Sequence, residues 1–129
     1  MTEKKLNLRL LKDTYGVCRL NKDDSIPSWV FNGEFFSITK TDDELSIVCQ
    51  ENNIPSGIKY EKCWKVLKIE GPLDFSLVGI LSKISSLMAV NNISIFAIST
   101  YDTDYILIKK EKIDSAINIL EKDLYNVIR

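Results

Sequence analysis

Two short segments carry groups able to hold a small polar ligand. The first runs from Asp74 to Ile80, Asp-Phe-Ser-Leu-Val-Gly-Ile, just after Gly71-Pro72. A strand that ends in Gly-Pro and re-enters a helix presents unpaired backbone N–H groups and the positive end of a helix dipole, which suit a carboxylate. Asp74 or Ser76 can also cap that helix. Gly79 lets a ligand, or simply the neighbouring sheet, come close to the backbone. The second segment is Ser99-Thr100-Tyr101-Asp102-Thr103-Asp104. Ser99 and Thr100 alternate across a strand and Asp104 opens the next one. A carboxylate there can receive an ammonium or a basic side chain through charge-assisted hydrogen bonds. Asp102 and Thr103 read as ordinary turn formers. Asp102 with Asp104 is an incomplete pair for a hard metal, short of the oxygen ligands that magnesium or calcium takes. Neither GxGxxG nor GxxxxGK[ST] occurs, so no nucleotide cofactor is expected.

Other chemistries lack their residues. The chain contains no histidine, which removes Ser-His-Asp and Cys-His catalysis, histidine metal sites and a histidine pH switch. Cys18, Cys49 and Cys63 are odd in number and widely spaced, a poor disulfide framework and a poor zinc site. None has a recognisable activating neighbour, so an enzyme is not expected. Lys plus Arg is 17 and Asp plus Glu is 18, for a net charge of −1, far from the basic balance of a nucleic-acid binder. No apolar run reaches the roughly 20 residues that span a membrane, and the N-terminus has no signal-peptide core. A soluble, cytoplasmic, reduced protein is expected. The chain has 129 residues, 45% apolar and 27% charged, enough for one domain or two very small modules with a real core.

The elements that must position these groups follow from periodicity. Leu6, Leu8 and Leu10 alternate with polar residues, a half-buried strand. A short strand over 15–20 and a hairpin of 35–40 with 45–50 follow, the hairpin turning at Thr41-Asp42-Asp43-Glu44. The second half gives a strand at 63–69, an amphipathic helix at 76–91, strands at 93–99 and 104–109, and a closing helix with the stripe Ile113, Ala116, Ile117, Leu120 and Leu124. Trp29, Phe31, Phe35, Phe36 and Trp64 are expected in the core or between modules. At an offset of 60, Phe36 falls on Phe96, Ile38 on Ile98, Thr39 on Ser99, Glu44 on Asp104 and Ile47 on Leu107. The echo suggests two βαββ(α) modules, residues 1–61 and 62–129, the first lacking strong helices. Each is too small to stand alone, so the copies should pack together.

The run from Gly71 to Leu81, followed by Ile93 to Ile108 with its Ser-Thr-Tyr-x-Thr-Asp-Tyr pattern, resembles the ACT domain family. The likeness is to the branch with the tandem modules of aspartokinase regulatory regions and the arginine sensors of TOR signalling. It is close over 62–129 and weak over 5–61. The resemblance implies an α+β fold of two ferredoxin-like βαββαβ modules in tandem, the first reduced in helix. It also implies a small ligand, usually an amino acid, held between modules or between subunits. The residues it points to are Asp74, Ser76, Leu77, Val78, Gly79 and Ile80, with Ser99, Thr100, Tyr101 and Asp104. The ligand carboxylate would meet the N–H groups of 76–80 and its amine Asp104 or edge-strand carbonyls. The arginine sensors are expected to carry an acid one or two positions before the loop glycine. Leu77 and Val78 stand there in this chain, which favours a neutral or apolar ligand side chain. The expected protein is a non-catalytic sensor, without cofactor or metal, homodimeric, and acting through oligomerisation or a protein partner. The alternative is an interaction module that has lost its ligand.

Overall fold

The computed structural model describes residues 6–70, 79–123 and 125–129. Its elements are β1 (Leu6–Leu10), β2 (Tyr15–Leu20), β3 (Ser37–Lys40), β4 (Leu45–Gln50), β5 (Tyr60–Ile69), α1 (Ile80–Val90), β6 (Phe96–Ser99), β7 (Asp104–Lys109), α2 (Lys110–Lys122) and β8 (Tyr125–Ile128). Two 3₁₀ turns, Ser28–Phe31 and Glu51–Asn53, lie between β2 and β3 and between β4 and β5. The chain divides into two compact units. One is residues 13–64; the other joins the N-terminal twelve residues to 65–129.

In the 13–64 unit the strands lie in the order β3-β4-β2-β5, and each neighbouring pair is antiparallel. This is a ferredoxin-like sheet with the two 3₁₀ turns where helices would stand. Helix breakers interrupt both connections: residues 21–36 carry Pro27 and Gly33, and residues 51–59 carry Pro55 and Gly57. The core is accordingly small. Cys18, Leu20, Val30, Leu45, Ile47 and Cys49 are buried together, with Trp29, Ile38, Ile54 and Tyr60 packed on them. The register between β2 and β5 shifts between Tyr15 and Val17, and opposite this bulge Cys63 takes φ 63°, a left-handed backbone rare for a residue with a Cβ.

The second unit has the strand order β8-β1-β5-β7-β6. Here β5-α1-β6-β7-α2-β8 is the full βαββαβ sequence, and β1 is an additional strand, antiparallel to β5 and parallel to β8. A division of the chain at 61/62 puts β1 with the first half, whereas its hydrogen bonds run to residues 67–69 and 125–128. The core is larger. Leu6 and Leu8 of β1, Leu67 and Ile69 of β5 and Ile106 and Ile108 of β7 meet Ile84 and Met88 of α1. Ile113, Ala116, Ile117 and Leu120 of α2 complete that layer, the stripe expected from the sequence. Burying one such side chain stabilises the unit by roughly 1.5–3 kcal/mol.

Three details depart from the sequence reading. Helix α1 starts at Ile80, with Gly79 at the N-cap in a left-handed conformation (φ 90°) and no side-chain cap. Asp74 and Ser76, the expected caps, lie outside the described residues. The strand expected from Ile93 begins at Phe96, because Ile93 is tied by its N–H to Met88 O at the end of α1 and is buried in the core. The expected helix stripe ran through 124, while α2 ends at Lys122 and Tyr125–Ile128 forms β8. No Gly or Pro marks that change, and only the alternation of buried Tyr125 and Val127 with exposed Asn126 records it.

Candidate functional site

Strands β1 and β5 alternate, and this sorts their side chains by face. Leu6, Leu8, Leu67 and Ile69 enter the core, which leaves Asn7, Arg9, Lys68 and Glu70 on the opposite, outer face of the sheet. The register sets Arg9 directly across from Lys68, and the Glu70 N–H donates to Asn7 O at 2.7 Å. Arg9 Nε donates to Glu70 Oε2 at 2.8 Å. That bond holds the Glu70 carboxyl below its ordinary value; burial opposes the shift, and the charges of Arg9 and Lys68 reinforce it. Two cations thus face each other on adjacent strands, an unfavourable placement. Glu70 is bonded to Arg9 and interacts with Lys68 through its charge.

The turn between β6 and β7 is fixed beside them. The Thr100 N–H donates to Thr103 O at 2.8 Å, and the Thr103 N–H to Thr100 Oγ1 at 3.3 Å. Thr103 Oγ1 donates to Ile69 O at 2.5 Å, which pins the turn to the end of β5. Between turn and strands opens a cleft of about 430 Å³. Asn7 comes from β1, Lys68 and Glu70 lie at the end of β5, and Thr100, Asp102, Thr103 and Tyr105 come from the hairpin. The volume falls within the roughly 300–1,000 Å³ of small-molecule sites, though the polar lining suits a small polar ligand better than an apolar one.

The expected site residues are dispersed around this cleft. Thr100 lines it. Ser99 and Asp104 face each other as the last pair of the β6–β7 ladder, and Ser99 Oγ donates to Asp104 Oδ1 at 2.5 Å. The carboxylate expected to receive an ammonium is therefore already held by a hydroxyl. Tyr101 is fully exposed and makes no wall. Gly79 is exposed at the start of α1, and Ile80 packs its side chain against the core. Asp74, Ser76, Leu77 and Val78 lie outside the described residues. Sequence reasoning missed Asn7, Lys68, Glu70 and Tyr105, although the alternation of β1 and β5 already marked the first three as one polar face. It also took Asp102 and Thr103 as plain turn residues.

The first-half hairpin clarifies the internal repeat. Lys40 pairs with Leu45, and Ser99 with Asp104, so the structural offset is 59 and not 60. Thr41 and Thr100 then superimpose, and so do their hydrogen bonds: the Thr41 N–H donates to Glu44 O at 2.9 Å just as Thr100 does to Thr103. On this register Leu45, which is buried, stands where Asp104 stands. The matching of Glu44 with Asp104 by sequence is corrected accordingly.

The cysteines form a different kind of pair. Cys18 and Cys49, both buried, are joined by a side-chain hydrogen bond that raises the Cys18 thiol and lowers that of Cys49. Cys63 is exposed. Among the described residues no group of three or more Cys, Asp or Glu converges as a metal site would require.

The chain is similar to several known proteins. A model of the ACT domain matches residues 59–122, and a model of an N-terminal domain matches residues 13–57. The chain is 29% identical over 96 residues to the human "Cytosolic arginine sensor for mTORC1 subunit 1", a match covering 68% of this chain and 29% of the sensor. It thus spans only 29% of the length of that relative. The crystal structure of protein Atu0741 from Agobacterium tumefaciens superposes with a TM-score of 0.91 at 34% identity, covering 98% of this chain and 94% of that one. The regulatory subunit of aspartate kinase from Thermus thermophilus superposes with a TM-score of 0.60 at 12% identity, covering 85% and 92%. That last likeness is one of fold.

Proposed function

The chain belongs to the ACT domain family, and on that premise we propose that it is a non-catalytic regulatory protein that binds an amino acid. The observation that carries this reading is the ACT match over 59–122. It spans both the segment after β5 and the β6–β7 hairpin, whose groups suit a carboxylate and an ammonium. A relative named as an arginine sensor supports an amino acid as the ligand class. Leu77 and Val78 before the loop glycine rank a neutral or apolar side chain ahead of arginine.

The ligand sits against the β6–β7 hairpin, at an interface between ACT modules or between two subunits. Binding favours the packed, dimeric form, which is how a protein without chemistry of its own transmits a signal to a partner. No helix among the described residues is long and apolar enough to cross a membrane, and the related sensor is named as cytosolic. The relative's name supports a cytoplasmic protein.

A thermal-shift screen against the twenty amino acids tests the reading. A ligand at about a hundred times its dissociation constant stabilises by roughly 2.7 kcal/mol, several degrees for a chain of this size. One amino acid, or a few related ones, should raise the melting temperature. No shift with any of them at millimolar concentration would favour an interaction module without a ligand.

A further inference from the structure

The outer-face cleft between β1, β5 and the β6–β7 turn is lined by charge of both signs. Lys68 is directly opposite Arg9. The carboxylate of Glu70 is bonded to Arg9 and acts on Lys68 only through its field, so Lys68 has no carboxylate in direct contact among the described residues. Across the cleft, Asp102 sits at the apex of a turn whose backbone is satisfied by Thr100 and Thr103. Among the described residues neither Lys68 nor Asp102 makes a salt bridge. Both line the same cleft, and its volume of about 430 Å³ admits a small metabolite.

We propose that this cleft binds the charged end of a free α-amino acid, the α-carboxylate at Lys68 Nζ and the α-ammonium at the Asp102 carboxylate. The assignment rests on the amino-acid-binding reading and names its anchor. A zwitterion fits where a simple anion does not. An anion at Lys68 would also face Glu70 and Asp102, whereas an α-amino acid carries a cation adjacent to its carboxylate. It fits better than a metal, since Lys68 would repel one. The anchor also moves both charged contacts away from the positions suggested by the sequence pattern. Asp104 is already held by Ser99. Thr103 stiffens the cleft by its bond to Ile69 O, so little ordering is needed on binding.

Calorimetric titration of the full chain with each of the twenty amino acids, repeated on Lys68→Met and Asp102→Asn, tests the anchor. Asp104→Asn serves as a comparison. Charge-assisted hydrogen bonds of this kind contribute enough that losing either should weaken binding about tenfold or more. Asp104→Asn should bind within a few-fold of the parent chain. Lys68→Met gives up a repulsion by Arg9 together with an attraction to Glu70, and Asp102 is exposed, so both variants should melt close to the parent without ligand. Parent-like affinity in either variant would overturn the cleft assignment and leave the sensing reading standing. Absence of binding to the parent chain by every amino acid would overturn both.

Discussion

Thr103 and Arg9 are the side chains on which the local geometry turns. Thr103 Oγ1 bonds the last carbonyl of β5, so Thr103→Val keeps the shape but leaves that carbonyl without its partner. A loss of about 1 kcal/mol in urea unfolding is expected, together with weaker ligand binding as the turn loosens. The Arg9–Glu70 pair gives a pH signature. The Glu70 carboxyl is held below its ordinary 4.5 in the folded chain, first by the Arg9 hydrogen bond. A depressed carboxylate stabilises the fold above its unfolded value, and that stability is lost as the pH falls through the folded value. Arg9→Gln should therefore cost stability near neutrality, and its difference from the parent should begin to shrink near pH 4.5 and vanish once the pH is below the depressed folded value. Both side chains are partly exposed, so the neutral-pH difference should be at most about 1 kcal/mol. At this scale the sequence was only partly legible. Polar alternation on β1 and β5 announced an outer face, but nothing in the string pairs Arg9 with Lys68. That pairing comes from a strand contact between residues about sixty positions apart. The same limit explains the misplaced repeat: matching letters favoured an offset of 60, while the turn hydrogen bonds of Thr41 and Thr100 set it at 59.

Among the elements, β1 has the largest structural consequence for its length. Five residues pair with β5 on one side and β8 on the other. Leu8 is fully buried between them, so Leu8→Ala should destabilise by about 2–5 kcal/mol in urea unfolding. The cleft should be lost with it, since Asn7 and Arg9 are on the same strand. Gly79 controls the entry to α1. A Cβ there would meet no neighbour, yet φ 90° is strained for any other residue. Gly79→Ala should cost about 1–2 kcal/mol through the backbone alone, seen as a lower melting temperature with unchanged β-sheet signal. Leu6–Leu8–Leu10 and the α2 stripe were readable because each has a clean period over a long enough span. β8 was not, since four residues directly after a helix, without Gly or Pro, carry too few alternations to separate from a continuing helix. The missing helices of 13–64 were legible from polar, proline-bearing connections.

Taken whole, the chain is an α+β member of the ACT domain family in which one unit keeps both helices and the other has exchanged them for 3₁₀ turns. That asymmetry predicts unequal roles. The 65–129 unit carries the pinned hairpin and the polar cleft. The 13–64 unit has Leu45 at the position of Asp104, and no paired acid follows from its repeat. One ligand per chain is therefore expected from calorimetric stoichiometry, with the 13–64 unit acting in assembly. Its exposed Phe31 and Phe36, in edge-to-face contact at 5.4 Å, are suited to such a role. The most direct test of the central claim is an amide-resolved NMR titration of the full chain with the amino acids in turn. Saturable shifts for one of them, concentrated at residues 68–70 and 99–105, are the predicted result. Unmoved spectra with every amino acid at millimolar concentration would contradict it.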